Sequence, residues 1–315
     1  MEYLDIRTKL NNLGKKREDF FFLIDYSLKN YDIIPLDQLP SNIKFQFENQ
    51  GYKPHTLDLD RKFITLDQYR SKFNQLQDHI GKGNCYLANL TQVTKLTNKL
   101  DLLDIYNKAN GRYKLYYKDQ FVSFSPEQFC QIKNNKIYTY PMKGTIDASI
   151  PNAKEKIIKN QKELAEHTMV VDLLRNDLSM VATQVKVEKF RYIQKIDAGK
   201  KQLYQISSTI SGKLENNWED NIGDIITTML PAGSITGTPK KSTVDILSSI
   251  EGYKRGYFTG IFGVYKDHQL NSAVAIRYIE KQKDGDLIYK SGGGITSDSD
   301  LLSEYQELQD KVYIP

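Results

Sequence analysis

The chain has 315 residues, 39% of them apolar, and a net charge of +5 spread as lysines among acidic neighbours. That length buries a sizeable core in one large or two ordinary domains, and the lack of a block of like charges argues against nucleic acid and leaves a mild attraction for small anions. No apolar run nears the roughly 18 residues that span a bilayer, and "MEYLDIRTKL" has neither the basic start nor the apolar stretch of a leader, so a cytoplasmic, membrane-free protein is expected.

The first sixty residues read as short strands, "FFFLIDYS" and "IKFQF", joined by the turn-rich "YDIIPLDQLPSN". They are expected as a strand-rich N-terminal segment (1–60) packed on a catalytic core (61–315). Leu66, Tyr69, Phe73, Leu76 and Ile80 recur at intervals of three and four, with Gly81 at the stop position, which predicts an amphipathic helix. "NCYLANLTQVTKL" and "FVSFSPEQFCQIKNNKIYTYPM" read as strands, with Asn134-Asn135 as a hairpin turn. Cys85 and Cys130 fall in these patterns and form neither a disulfide framework nor a metal motif, so both are expected as buried thiols. One long helix is predicted from about Asn152 to Met180, and strands resume in "VKVEKFRYI" and "LYQISSTISGKL". Helices flank "LPAGSITGTPKK"; then "YFTGIFGVYK", "NSAVAIRYIEK" and "LIYKSGGGIT" alternate as strands before a last helix from about Asp298. Runs of strands broken by helices imply an α+β class dominated by antiparallel pairing.

Several residue types carry possible chemistry. Glu163 with Glu166, and Glu304 with Glu307, are spaced i, i+3 on predicted helices, so each pair shares a face. They read either as solvated helix faces or as hard oxygen ligands for a divalent cation such as Mg²⁺. The glycine runs "PAGSITGTPK" and "SGGGITSDSD" precede helices, where free N–H groups would receive an anion, or else are plain connections; neither has P-loop spacing. Arg277 interrupts an apolar strand pattern and either snorkels at an edge or grips a carboxylate. Lys143 follows a Tyr-rich strand and Pro141 and precedes Gly144. A lysine is a nucleophile only without its proton, which is costly at neutral pH unless its surroundings help. Lys143 is therefore either a solvated turn residue or an activated amine, with Glu127 of "SFSPEQF" as a proton donor. No Ser-His-Asp or Cys-His order appears among His55, His79, His167 and His268.

Taken in order, "SPEQF", "YPMKGT", "AEHTMVVDLLRNDL", "YQISSTISG", "LPAGSITGTPK", "RGYFTGIFGVY", "AVAIRYIE", "SGGGITSDSD" and "SEYQELQDK" resemble the chorismate-utilising enzymes over roughly residues 65 to 315. The segment "PLDQL" is similar to the N-terminal part of some members. The resemblance implies a magnesium-dependent enzyme with a two-lobed antiparallel β-sheet sandwich, helices packed outside, and chorismate in a cleft. In this family a lysine at the position of Lys143 marks the branch that makes 4-amino-4-deoxychorismate, towards 4-aminobenzoate and folate. An alanine there marks the branch that forms anthranilate with loss of pyruvate.

By the same resemblance, Lys143 adds covalently to the ring and Glu127 transfers the proton. Glu166 and Glu307 ligate Mg²⁺ with support from Glu163 and Glu304. Arg277, Tyr257 and Lys311 hold substrate carboxylates, and Thr145, Ser234, Gly292, Gly293 and Gly294 line the cleft. Gln205 stands where many members have histidine, which leaves hydrogen bonding in place of acid–base work. Leu87 stands where the water-adding members have lysine, which points to ammonia as the incoming group. No glutaminase is legible in the chain, so ammonia is expected from a separate glutamine amidotransferase subunit, as a heterodimer. A chorismate-binding subunit without turnover is the remaining alternative.

Overall fold

The computed structural model describes residues 3–48, 57–198 and 201–315, and His55 lies outside them. In chain order the elements begin α1 (Tyr3–Lys15), β1 (Phe20–Ile24), β2 (Tyr31–Pro35), β3 (Ile43–Gln46), β4 (Arg61–Lys62), α2 (Leu66–Gly81), β5 (Leu87–Leu96), α3 (Leu102–Lys108), β6 (Tyr113–Tyr117), β7 (Phe121–Ser125), β8 (Gln128–Lys133), β9 (Lys136–Thr139) and β10 (Met142–Asp147). They continue with α4 (Ala153–Lys159), α5 (Gln161–Ser179), β11 (Thr183–Ala198), β12 (Lys201–Lys213), α6 (Ile222–Met229), β13 (Gly237–Thr238), α7 (Lys240–Glu251), β14 (Ile261–Lys266), β15 (Gln269–Val274), β16 (Tyr278–Lys281), β17 (Leu287–Ile295) and α8 (Leu301–Asp310). Among the described residues no helix is long and apolar enough to cross a membrane.

The chain divides into two compact units, each built on one antiparallel sheet. The first comprises Met1–Leu39, Glu127–Leu230 and Ile261–Val274. Its sheet runs β10-β12-β9-β8-β15-β14-β1-β2, with β11 paired to β12. The second comprises Pro40–Pro126, Pro231–Gly260 and Ala275–Pro315, with the order β13-β5-β17-β16-β7-β6-β3 and β4 beside β5. The α+β class and the antiparallel pairing are as the sequence implies. The first sixty residues are shared between the units: β1 and β2 close one sheet, and β3 sits at the edge of the other.

In the first unit, β1 is inaccessible to solvent on both faces, and Phe20 stacks on Tyr265 at 5.4 Å. The Asn134-Asn135 turn joins β8 to β9 with both residues at positive φ (51° and 56°), the geometry that matches strand twist in a two-residue hairpin. In the second unit, Tyr69, Phe73, Leu76 and Ile80 of α2 pack on Ile246, Leu247 and Ile250 of α7 and on Ala88, Leu90 and Ile295 of the sheet. Each such side chain contributes roughly 1.5–3 kcal/mol on burial. Thr65 and Gln68 form a reciprocal capping box that starts α2.

The long helix expected over 152–180 is instead two. Asn160 leaves helical geometry and caps α5, its side chain accepting from the Glu163 N–H at 3.1 Å. Arg277 is not a strand residue either. It occupies a bend between β15 and β16 with φ at 52°.

Candidate functional site

The first unit gathers one set of the expected residues around β10. Lys143 pairs in register with Ile206 of β12, and the register then slips so that Thr145 faces Gln205. Gly144 is the extra residue of this bulge, with φ at 77°. That φ favours glycine, and a Cβ here would also lie 2.7 Å from Oε2 of Glu163, so the strand backbone passes close to the carboxylate. The bulge thus sets half-buried Lys143 beside the helix that carries Glu163 and Glu166, while Thr145 is exposed.

Helix α5 brings Glu163, Glu166 and His167 to this strand. Glu163 lies in the first turn, where the helix dipole favours a carboxylate. His167 is fully buried, and its Nε2 meets Ser208 Oγ at 2.7 Å. Ser208 Oγ accepts the Arg191 N–H at 2.9 Å, and the Ser208 N–H donates to the Pro141 carbonyl at 3.0 Å, two residues before Lys143. Burial first, then the charges of Arg191 and Lys143, hold the His167 imidazole down at about 4, so it is neutral. Sequence reasoning left His167 among the bland histidines, because "AEHTMVV" shows only an apolar helix face. Glu127 is half-buried just before β8, and its carbonyl accepts from Val274 N–H at 3.2 Å. The β8–β9 ladder ends at Gln131 opposite Tyr138, short of both Glu127 and Lys143, which belong to the same unit.

The second unit gathers a different set on α8 and β17. Glu304, Glu307 and Lys311 follow at intervals of three and four on one helix face. Above Gly293, a Cβ would lie 3.4 Å from Glu304 Oε2, 3.7 Å from Glu307 Oε1 and 3.7 Å from Lys311 Nζ. Lys311 Nζ pairs with Glu307 Oε1 at 2.6 Å and donates to the Gly292 carbonyl at 2.9 Å. Buried Glu304 accepts from Ser299 Oγ at 2.8 Å. The phenol of Tyr69 is pushed up by burial and then by the charges of Glu304 and Glu307. Gly292, Gly293 and Gly294 are ladder residues of β17 opposite Thr91, Leu90 and Asn89, so this run is a strand and not a helix-terminal anion loop.

Half-buried Arg277 faces the Tyr313 ring at 5.3 Å, and its buried Nε has no hydrogen-bond partner, an arrangement that a carboxylate would complete. Tyr257 is half-buried against Tyr117 and Phe121, each at 5.5 Å. Ser234 is in a tight helical turn, Gly233–Ile235. Leu87 is buried in β5 opposite Thr238.

Among the described residues, no three His, Cys, Asp or Glu side chains converge as a metal site. The donor chemistry in the second unit nevertheless suits a hard cation: Glu304 Oε2 and Glu307 Oε1 both lie within van der Waals reach of a Cβ placed on Gly293, so two carboxylates approach the same stretch of β17. The Lys311 ammonium beside Glu307 marks where positive charge is favoured.

Comparison with known proteins adds a family. Residues 37–314 match the model described as chorismate binding enzyme. An uncharacterized PabA-like protein of Haemophilus influenzae is 46% identical over 97% of this chain and 94% of its own length. Aminodeoxychorismate synthase component 1 of Escherichia coli is 29% identical over 93% of this chain, which spans 67% of that protein. Among solved structures, anthranilate synthase component I from Streptococcus pneumoniae aligns with a TM-score of 0.67 and 25% identity, over 82% of this chain and 60% of that one. The menaquinone-specific isochorismate synthase of Escherichia coli shares the fold alone, with a TM-score of 0.73 and 14% identity over 96% of this chain and 79% of that one.

Proposed function

The chain belongs to the chorismate binding enzyme family, and from that premise we propose that it is an aminodeoxychorismate synthase component I, replacing the C4 hydroxyl of chorismate with an amino group. The observation that carries this reading is Lys143 itself, a half-buried amine on a bulged strand against the helix of Glu163, Glu166 and His167. Similarity to named relatives does not discriminate, because an anthranilate synthase α subunit of Arabidopsis thaliana is 27% identical and the aminodeoxychorismate synthase component of Escherichia coli 29%.

The free-base amine of Lys143 bonds to ring carbon 2 while the C4–O bond breaks, and the leaving hydroxyl departs as water with a proton from Glu127. Ammonia then bonds to C4, the C2–N bond to Lys143 breaks, and the proton released by the incoming amine restores Glu127. Net, chorismate and ammonia give 4-amino-4-deoxychorismate and water. His167 stays neutral and holds β10 through Ser208, which fixes the base of Lys143. Arg277, Tyr257 and Lys311 receive the substrate carboxylates, and Thr145, Gln205, Ser234 and Gly292 to Gly294 line the space around it.

Glu166 and Glu307, supported by Glu163 and Glu304, are the proposed ligands of Mg²⁺, which when bound supplies positive charge to the ring carboxylate. Ammonia is proposed to come from a separate glutamine amidotransferase subunit.

The test incubates the protein with chorismate, ammonium and Mg²⁺ at mildly alkaline pH and identifies the product by mass and fluorescence. The expected product is 4-amino-4-deoxychorismate, lost in Lys143→Ala and in the presence of a chelator. Anthranilate formed without an added lyase would overturn the assignment.

A further inference from the structure

We propose that Arg255 is a positioning residue that sets Ser234 and Tyr257 for the substrate; this rests on the chorismate reading above. Arg255 is buried, and its side chain forms an ion pair with the equally buried Glu251 at 2.6 Å. All five guanidinium N–H groups are used. Nε donates to Glu251 Oε2 at 2.9 Å, while Nη2 donates to Glu251 Oε1 at 2.6 Å and to the Asn89 carbonyl at 2.7 Å. Nη1 donates to the Ile235 carbonyl at 3.0 Å and to Thr259 Oγ1 at 3.3 Å.

The acceptors other than Glu251 come from three separate stretches. Asn89 is on β5, Ile235 follows Ser234 directly, and Thr259 is two residues beyond Tyr257. Ser234 and Tyr257 lie in turns outside any strand ladder, and the planar fork of Arg255 adds a rigid side-chain tie to the backbone bonds there, Asn89 N–H to the Thr236 carbonyl at 2.9 Å and Thr259 N–H to the Ala275 carbonyl at 2.8 Å. Glu251 is itself held, accepting the Thr91 N–H at 3.0 Å and the Thr91 hydroxyl at 2.7 Å. Lys290 Nζ secures the Arg255 carbonyl at 3.0 Å.

A buried ion pair by itself is weak evidence for stability, since apolar replacements of similar volume often serve as well. The geometry here indicates placement, because one cation ties two candidate substrate-facing turns to β5. A lysine would keep the charge and lose the fork.

The experiment measures kcat and KM for chorismate, with ammonium as the amine source, in wild type, Arg255→Lys and Glu251→Gln. A third variant, Glu219→Gln, serves as control: Glu219 is a buried carboxylate of the first unit bound by Arg17 at 2.9 Å and His268 at 2.8 Å. Loss of placement at groups remote from the breaking bond raises KM on the order of ten-fold with kcat changed less than about three-fold. The control loses thermal stability without that rise. If wild type does not convert chorismate, the functional reading fails; if wild type is active and Arg255→Lys or Glu251→Gln match the control in KM, the positioning role fails alone. Should Arg255→Lys not fold, Glu251→Gln carries the same comparison, supported by calorimetric binding of chorismate without ammonium.

Discussion

Glu163 Oε2 lies 2.7 Å from where a Cβ on residue 144 would be, so any side chain at Gly144 must push that carboxylate aside. Gly144→Ala would meet both this clash and a left-handed φ of 77°. The expected result is a stability loss of about 1–3 kcal/mol and a fall in kcat/KM of about 10²-fold as Lys143 is re-aimed. Thermal melts and steady-state amination measure the two effects. Full activity in the alanine variant would show that the bulge does not aim the lysine.

His167 makes stability depend on pH. Its imidazole is held at about 4, below the ordinary 6.5, so between these values the unfolded chain binds the extra proton. The contribution is therefore fully present above pH 6.5 and fades as pH falls towards 4, by about 3 kcal/mol at most. The difference in unfolding free energy between wild type and His167→Gln, measured from pH 7.5 to 4, should shrink over that window. A constant difference would contradict a neutral, buried imidazole.

Lys311→Met removes the contact to Glu307 at 2.6 Å and the hydrogen bond to Gly292. Glu307 is half exposed, so the stability change should stay below about 1 kcal/mol. KM for chorismate should rise about ten-fold through lost charge on the substrate side. A large drop in melting temperature with unchanged KM would assign Lys311 to the fold alone.

Burial pushes the Cys130 thiol up to about 12, against a hydrogen bond with Ser272 that lowers it, and burial raises Cys85 as well. Neither should react with an aromatic disulfide reagent at pH 8 in the folded protein, and both should react once it is unfolded. Fast labelling of native protein would mean that one thiol is reached by local opening.

The elements legible in the sequence were those whose burial is periodic. The spacing from Tyr69 to Ile80 matches the buried face of α2, and "NN" marks a hairpin because both residues tolerate positive φ. Helix α1 escaped notice because Ile6 and Leu10 are its fully buried apolar side chains, and its fit to α6 is made by polar contacts, such as Asn11 accepting the Gly223 N–H at 2.7 Å. Asn160 breaks a continuous helical pattern because its side chain offers a cap, a competition that apolar spacing does not reveal.

For the site, Glu163, Glu166, Glu304 and Glu307 could be named from helical spacing, and the structure gives each pair a shared helix. Arg277 read as a strand interruption because its neighbours are apolar, whereas the chain bends there. Arg255 opens the motif "RGYFTGIFGVY" yet received no role from it. "GYKRGY" looks like an exposed basic turn, and only tertiary folding brings Asn89, Ile235 and Glu251 around the guanidinium.

Strand β11 pairs with β12 along one side and, among the described residues, with nothing along the other. It runs for 16 residues, yet its register slips three times and it presents Lys186, Lys189 and Lys195 to solvent. An unbroken margin of that length would invite another chain to add a strand and start a fibril. The slips make that margin irregular and the exposed lysines repel a like neighbour, both of which disfavour strand addition along it.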